Sequence, residues 1–590
     1  MAEYSSNLDS IPQTVRQRVL KRKQSLYTDR SGWDNRWRQV SDNLLPFSGR
    51  FLASDRNKGT ATFNNIIDAE ATKSLRILAA GLMSGMTSPA RPWFRLATPD
   101  PKDMQNESVK FWLADVAQLM RDVFHGGNTY RSLHTIYEEL GAFGSALNII
   151  ENDFYHVIWH TPLTIGEYAM ATDHRGKVNT IAREYEMTIE QVVMEFVASG
   201  MLDGKPNWTA VGPTVKNMWD NHNYDKPITV IHLIEPRRMH ERDLGTRYAR
   251  MLPKNMAYRS CYIEAGAEND QNVLRESGYK EFPALGVRWH TRGGDVYGVG
   301  PGMEALGAIQ QLQQEQFRKA QGIDYMSRPP VVMPGELKGR ELDTLPGGVN
   351  YFSISNPAAK AHNLFDVRID LQHLLLSIED VRKQINAHFY ADLFLMISQD
   401  NRATPATATE VAERHEEKLL MLGPVLERLH DELLSPLIDI TFNRLLQGGA
   451  IPEAPPELEG KPLKVEFVSV LAQAQRAVGL GSIDRLLGTV GNLATLSQDP
   501  SVWDKIDKDE AVERYADMLA VDPKLIVSDE EAGVARSNRA KVNQQAQMVE
   551  AAPALADAYK KGAEGDALTG GAAGAGEPAG SIEQFTGYTP

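Results

Sequence analysis

The pattern of apolar and polar positions along the chain predicts mainly helix, with smaller β parts. Between Asp68 and Met86, the residues Leu75, Leu78, Ala79, Leu82 and Met86 recur three and four apart, which places them on one helix face. Pro89 and Pro92 stop that helix, because proline disfavours helical backbone in the residue before it, and Trp93 and Phe94 follow as an aromatic lock. Nearer the start, Val15, Val19 and Leu20 space an amphipathic helix over Val15–Lys23, whose remaining face carries Arg16, Arg18, Lys21, Arg22 and Lys23. Two readings of that segment stand: contact with DNA or an acidic partner, or a solvated helix face packed by Val15 and Val19. Residues 109–150 read as helix interrupted at Gly126-Gly127, and residues 154–300 mix turns with strand-like runs such as Thr229–Leu233. Residues 1–300 are therefore expected to form an N-terminal α/β body.

Two long helical patterns then flank a segment rich in proline and glycine. After Gly300-Pro301-Gly302, an apolar stripe runs through Met303, Leu306, Ile309, Leu312, Phe317, Ala320 and Ile323, with glutamines mostly around it. Residues 329–365 hold Pro329, Pro330, Pro334, Pro346 and Pro357 with Gly335, Gly339, Gly347 and Gly348, and β-like runs at Val331–Met333 and Val349–Ile354, the pattern of a small loop-and-strand module. The second helix is predicted over 366–397, with Leu371, Leu374, Leu375, Ile378, Val381, Ile385, Phe389, Leu393 and Met396 on one stripe. Unbroken, it would be roughly 45 Å long at 1.5 Å per residue. Residues 398–409 are small and polar and read as a loop. A further helix is predicted over Glu410–Leu446, kinked at Pro424 and Pro436, then a strand over Leu463–Val470 and helices over 471–561. The Gly- and Ala-rich residues 562–590 are expected to be disordered.

Composition narrows the function classes. The 590 residues are 42% hydrophobic, enough for a large core, and carry a net charge of -14. A protein that grips nucleic acid by neutralising phosphates is usually basic, so tight sequence-independent DNA binding is not expected; an acidic balance suits a protein past which DNA slides, and is equally the ordinary signature of a soluble cytoplasmic protein. Cys261 is the only cysteine, which excludes an internal disulfide framework. The start of the chain has no apolar secretory stretch, and the uncharged run Ile77–Ala90 is too short and too broken by Gly81, Gly85 and Pro89 to be a membrane helix.

No motif for chemistry survives inspection. The Walker-type G-x-x-x-x-G-K-[ST] pattern is missing, so nucleotide hydrolysis by that route is not expected. Gly300-Pro301-Gly302-Met303-Glu304-Ala305 satisfies G-x-G-x-x-A with Asp324 further on, but no buried strand leads into it and Asp324 falls in the same helical pattern. His415-Glu416 fails H-E-x-x-H, since Leu419 stands where the second histidine belongs, and Ser84 in Gly81–Gly85 is one step off the G-x-S-x-G elbow. Two N-x-[ST] patterns begin at Asn106 and Asn207 and mean nothing without a secretory route. No cofactor and no metal are expected.

The run from Ala71 through Phe94, ATKSLRILAAGLMSGMTSPARPWF, closely resembles a signature of podovirus head-to-tail connector (portal) proteins. Its Gly81, Ser84, Gly85, Pro89, Trp93 and Phe94 are joined by Gly300 and Gly302 in a second similar run, Tyr297–Leu306, and by a third from Ala406 to Leu426 in the same order. The resemblance spans roughly residues 10–480 and implies a mixed, mainly α protomer of a cyclic ring of twelve copies. By that resemblance residues 1–300 belong to the wing, 301–328 and 366–397 are stem helices, 329–365 is the clip, 398–409 a channel loop, 410–470 a wing helix and strand, and 471–561 the crown. Leu306, Ile309, Leu312, Leu371, Leu375, Ile378, Val381 and Ile385 become subunit contacts of the stem. Asp400, Asn401, Arg402, Thr404 and Thr407 become the loop that meets DNA, and glycine at 300 and 302 serves a helix start rather than a cofactor.

The implied role is a channel at one capsid vertex of the virion, put together in the bacterial host cytoplasm, for genome packaging, retention and ejection. Its expected partners are further copies of itself, the major capsid protein, the terminase motor, a tail adaptor, scaffolding or internal core proteins and double-stranded DNA without sequence specificity. Two other classes compete: a monomeric head-tail adaptor or minor capsid protein, and a packaging ATPase, which the missing P-loop disfavours.

Overall fold

The computed structural model describes residues 14–55, 65–100, 103, 106–200, 204–267, 272–327, 331–332, 362–363, 371–398, 422–458 and 460–468, with short pieces beyond, among them 486–493 and 532–543. The first helix, α1 (Val15–Leu44), is much longer than the basic segment that announced it. It crosses one face of a five-stranded antiparallel sheet ordered β4 (Tyr168–Thr172), β5 (Val178–Thr188), β6 (Pro227–Pro236), β7 (Tyr258–Glu264) and β8 (Arg275–Tyr279). Strand periodicity sorts the two faces. Ile231, Leu233, Cys261 and Ile263 turn to Val19 and Leu26 of α1, while Val230 and Tyr262 turn the other way. That second face is covered by α5 (Ile189–Val192), the π-helical turn Val193–Ala198 and α6 (Pro213–Asp220).

The main core lies beside this sheet. There α2 (Glu70–Met86) packs on α4 (Thr129–Phe143), with Leu75 and Leu78 over Gly141, and α3 (Glu107–Gly126) lies alongside. Residues 109–150 were expected to be helix interrupted at Gly126-Gly127; α3 and α4 do separate there, but α4 ends at Phe143, where Gly144 takes φ +73°, and a strand begins at Ser145. That strand, β2 (Ser145–Asp153), pairs with β3 (Val157–Leu163) and β9 (Ala284–Arg288). As the sequence predicts, Trp93 and Phe94 are buried at the end of α2, stacked among each other and Phe124, and β1 (Phe94–Ala97) pairs with β12 (Lys464–Phe467).

The basic segment of α1 faces inward. Arg16 donates to the carbonyls of Glu264, Ala265 and Ala267, Arg18 pairs with Glu235 and Glu241, and Lys23 pairs with Glu184. Val19 is buried against the sheet with Val15 beside it, as the packed reading has it, but Arg16, Arg18 and Lys23 are paired rather than solvated, and Lys21 alone of the five basic residues is exposed. The asparagines of the two N-x-[ST] patterns are local turn devices: Asn106 caps α3 by accepting from the Ser108 amide at 3.0 Å, and Asn207 accepts from Thr209.

Candidate subunit interface

The region expected to join subunits is built on a helix pair that starts in the core. α8 (Pro301–Glu304) opens at Gly300, with Pro301 in the first turn, where its missing N–H costs no hydrogen bond. A side chain at Gly300 would put its Cβ 2.7 Å from the Leu140 carbonyl oxygen and the Gly144 Cα, and one at Gly302 would meet the Ala142 carbonyl at 2.5 Å. These glycines permit two backbones to touch, and the face a dinucleotide would need is filled by the end of α4. The chain continues as α9 (Leu306–Ser327) and returns through the antiparallel pair β10 (Val331–Val332) and β11 (His362–Asn363) into α10 (Leu371–His388).

α10 ends sooner than the unbroken stripe predicts. Tyr390 takes φ +54°, an unusual backbone for a non-glycine residue, and the chain restarts as α11 (Ala391–Ser398). The 18 residues of α10 therefore span roughly 27 Å, not the roughly 45 Å of one continuous helix. The turn carries Phe394 onto Gly81 of α2, where an added Cβ would lie 2.2 Å from the ring.

A polar hub fastens the base of the pair to α2. The Gln313 carbonyl oxygen accepts from the amides of Ile67 and Asp68, and its nitrogen donates to the Asp68 carbonyl, all within 2.7–2.8 Å. The Asp68 carboxylate accepts from Arg382 at 2.8 Å, Gln316 at 2.8 Å and the Glu70 amide at 3.0 Å. Burial opposes its charge, but the hydrogen bonds from Arg382, Glu70 and Gln316 outweigh it and hold the carboxyl below its ordinary range. Asn386 adds bonds to Ser74 and Glu70.

Burial then changes along the pair. Leu306, Ile309 and Leu312 on α9 and Ile378, Val381 and Ile385 on α10 are buried within the chain's own core, so their burial needs no second subunit. Toward β10 and β11 the apolar side chains lie bare: Phe317, Ile323, Tyr325 and Met326 on α9 and Leu375 and Leu376 on α10 are 44–61% exposed. The side chain of Leu371 and the residues Asp400, Asn401, Arg402, Thr404 and Thr407 lie outside the described residues, as do 562–590 and most of 329–365. Gly85 is buried in α2, Ser84 is exposed and donates to the Gly81 carbonyl, and Pro89 is exposed beyond the helix end.

A second junction was missed from sequence. The helix over 422–447 contains a π-helical turn, His430–Leu434, just before α12 (Ser435–Gln447), whose early Pro436 cannot donate to the preceding turn. That turn presents Glu432 to Arg288 of β9 through bonds of 2.6 and 3.3 Å, with Arg428 adding a third contact at 3.3 Å. Pro436 was legible as a kink; the carboxylate it aims was not. Among the described residues no cluster could hold a metal and no helix is long and apolar enough to cross a membrane.

Comparison with known proteins decides the family. The model of the bacteriophage head to tail connecting proteins matches residues 16–527. The chain belongs to that family. A "probable portal protein" of Bordetella phage BPP-1 is 49% identical over 536 residues, covering 91% of this chain and 93% of the relative. A "portal protein" of Salmonella phage epsilon15 is 41% identical over 550 residues, 93% of this chain and 95% of the relative. A chain in the neck of an empty gene transfer agent particle matches 76% of this connector and 97% of its own length at 12% identity, with a TM-score of 0.34. The connector is thus a structural component of a phage virion, at the junction of head and tail, and not an enzyme. The buried glycines of α2 and α8 are packing devices of a connector protomer.

Proposed function

We propose that the connector closes into a ring of twelve copies at one capsid vertex and forms the channel through which the genome is packaged, retained and ejected. The observation that carries this reading is the change in burial along α9 and α10. Their bases are held by the core and the Asp68 hub, while their far ends bare Phe317, Ile323, Tyr325, Met326, Leu375 and Leu376 in an otherwise acidic, charged chain. Large apolar side chains left about half-exposed together mark a contact, and a contact between two different patches, repeated by rotation, closes a ring. In this reading the pair is the stem, and Leu371 meets the neighbouring copy together with Leu375 and the other half-exposed residues. Residues 329–365 are the clip facing the tail adaptor and terminase motor, and residues 471–561 form a crown toward the head interior and its scaffolding or core proteins. The major capsid protein surrounds the ring.

Residues 398–409 read as one loop in the sequence; Ser398 closes α11, and we assign the residues after it, 399–409, to the channel. Arg402 is their only basic residue, between Asn401 and Ala403, so each copy offers double-stranded DNA one weak, salt-sensitive phosphate contact without reading sequence. Replacing 402–406 with a Gly/Ser linker of equal length should leave rings and capsids intact and reduce the retained genome. Full-length, stably retained DNA would remove the loop from this role. A monomeric adaptor is the competing reading, and native mass spectrometry of the purified chain separates the two: a 65.6 kDa species under every assembly condition would refute the ring.

A further inference from the structure

We propose that the tip of the β2–β3 hairpin is a knob that seats in an apolar groove beside α12 of the neighbouring copy, a second contact of the ring. The inference rests on the ring reading above and adds to it the pair of surfaces that meet in the body rather than the stem. The tip carries Phe154 and Tyr155, 95% and 85% exposed, the two barest large apolar side chains among the described residues. Their rings stand edge to face, 5.4 Å apart at 89°.

The tip is built, not loose. The Asp153 carboxylate accepts from the amides of Tyr155 at 3.0 Å and His156 at 2.7 Å, and from the His156 ring at 2.8 Å. Val157 then takes φ +67°, a conformation that a β-branched residue adopts only under constraint. Strain of this kind, kept at an exposed turn that displays two aromatic rings, marks a surface held ready for a partner. Fixing the rings beforehand lowers the ordering cost of seating them.

The groove that fits them is on the same chain. A cleft of about 1120 Å³ near His174 is lined largely by charged and polar groups, Arg288 paired with Glu432 among them, and does not suit two aromatic rings. A second cleft of about 520 Å³ suits them better: beside Asp439, Glu453 and Lys461 it is lined mainly by apolar groups, among them Trp112, Ile438, Phe442, Leu446, Ile451 and Leu463. Trp112 is oriented by its indole N–H, which donates to the Pro452 carbonyl at 3.1 Å, and Leu446 is 57% exposed at the rim.

Knob and groove lie on different sides of α12. Arg444 reaches the Ile150 carbonyl of β2 at 2.9 Å, so one face of the helix meets the root of the hairpin. Ile438, Phe442 and Leu446, four residues apart, form the opposite stripe and line the groove. A chain cannot bring the one to the other within itself by this route, whereas a closed ring requires two different, complementary patches on each copy, one facing each neighbour. Two aromatic side chains burying roughly 150–250 Å² each would add a substantial contact at every subunit boundary.

The test uses the full-length protein with Tyr155→Cys and Leu446→Cys together. Cys261 does not interfere, since it is buried and its thiol is pushed up to about 12 by that burial. On mild oxidation the double variant should give a ladder of covalent multimers on a denaturing gel, removed by reductant, and each single variant should give nothing beyond dimer. Rings that form without a ladder would overturn the knob and leave the ring reading standing; a wild-type chain that never forms rings would overturn that reading itself. Phe154→Ser with Tyr155→Ser should melt as wild type does and need at least a tenfold higher concentration to assemble. Assembly at the wild-type concentration would likewise overturn the proposal.

Discussion

The two ends of the α9–α10 pair are made of the same kinds of residue and do different work. At the base, Leu306, Ile309, Leu312, Ile378, Val381 and Ile385 are buried in the chain's own core, and Asp68 and Arg382 pair in the hub beside them. At the far end, Phe317, Ile323 and Leu375 continue the apolar pattern but are 44–51% exposed, and Met326 and Leu376 beside them are 47% and 61% exposed. A single amphipathic stripe can thus be core for half its length and contact surface for the rest. What separates the halves is the tertiary setting, above all where the body stops.

The comparison breaks first at the base. Ile385→Ala should cost about 2–5 kcal/mol of protomer stability, the ordinary range for emptying a fully buried aliphatic site, measured by denaturant unfolding of the unassembled chain. A cost below about 0.5 kcal/mol would mean that the base is not core.

The next effect in size is one of pH. Glu139, on α4, is buried, and burial pushes its carboxyl up from 4.5 to about 7 against the hydrogen bonds from Thr164 and the Ile165 amide. An acid whose folded pKa stands above its unfolded one favours the native state in acid; that contribution is complete below pH 4.5 and lost as pH rises to about 7. His160 has the opposite sign. Burial first, and Arg444 second, lower its ring from 6.5 to about 4, so its share is complete above pH 6.5 and lost as pH falls to about 4. Glu139→Gln removes the first slope only, so between pH 4.5 and 7 the variant should gain up to about 3 kcal/mol relative to wild type. A pH-independent difference between the two proteins would show that Glu139 does not hold its proton.

The hub comes third. Asp68→Ala strips Arg382, Gln316 and the Glu70 amide of their acceptor and should cost about 1–3 kcal/mol, less than the core site because Arg382 is part-exposed and can be rehydrated. Asp68→Asn, which keeps an acceptor, should recover part of that loss. At the far end Leu375→Ala should change protomer stability by less than about 0.5 kcal/mol, because its side chain has little of its own chain to lose.

Much of this was legible in the chain, for reasons that can be named. The α2 stripe, its stop at Pro89 and Pro92, the aromatic lock and the helix start at Gly300-Pro301 all depend on local spacing and turn chemistry, and they stand where the sequence puts them. Gly144, which ends α4 in left-handed backbone, was a visible stop that a continuing apolar run, Ala146–Ile150, outweighed, because a buried strand and a buried helix share that composition. The break at Tyr390 had no signal, since Asn386–Leu393 contains neither proline nor glycine and the turn is imposed by Phe394 settling on Gly81. The basic segment of α1 misleads for a related reason: Arg16, Arg18 and Lys23 meet carbonyls and carboxylates more than 150 residues away in sequence. Which part of the stem stripe is core and which is bare was likewise not readable, because periodicity reports a face and not what covers it.

The account stands most directly on native mass spectrometry of the full-length chain beside Leu375→Asp/Leu376→Asp, both at a concentration where wild type assembles. The two leucines are 44% and 61% exposed, so the variant should melt as wild type does. Wild type should appear as one closed multiple of 65.6 kDa, and the variant as the 65.6 kDa protomer. Wild type that stays a protomer, or a variant that closes the same ring, would contradict the claim that the bare end of the helix pair joins the subunits.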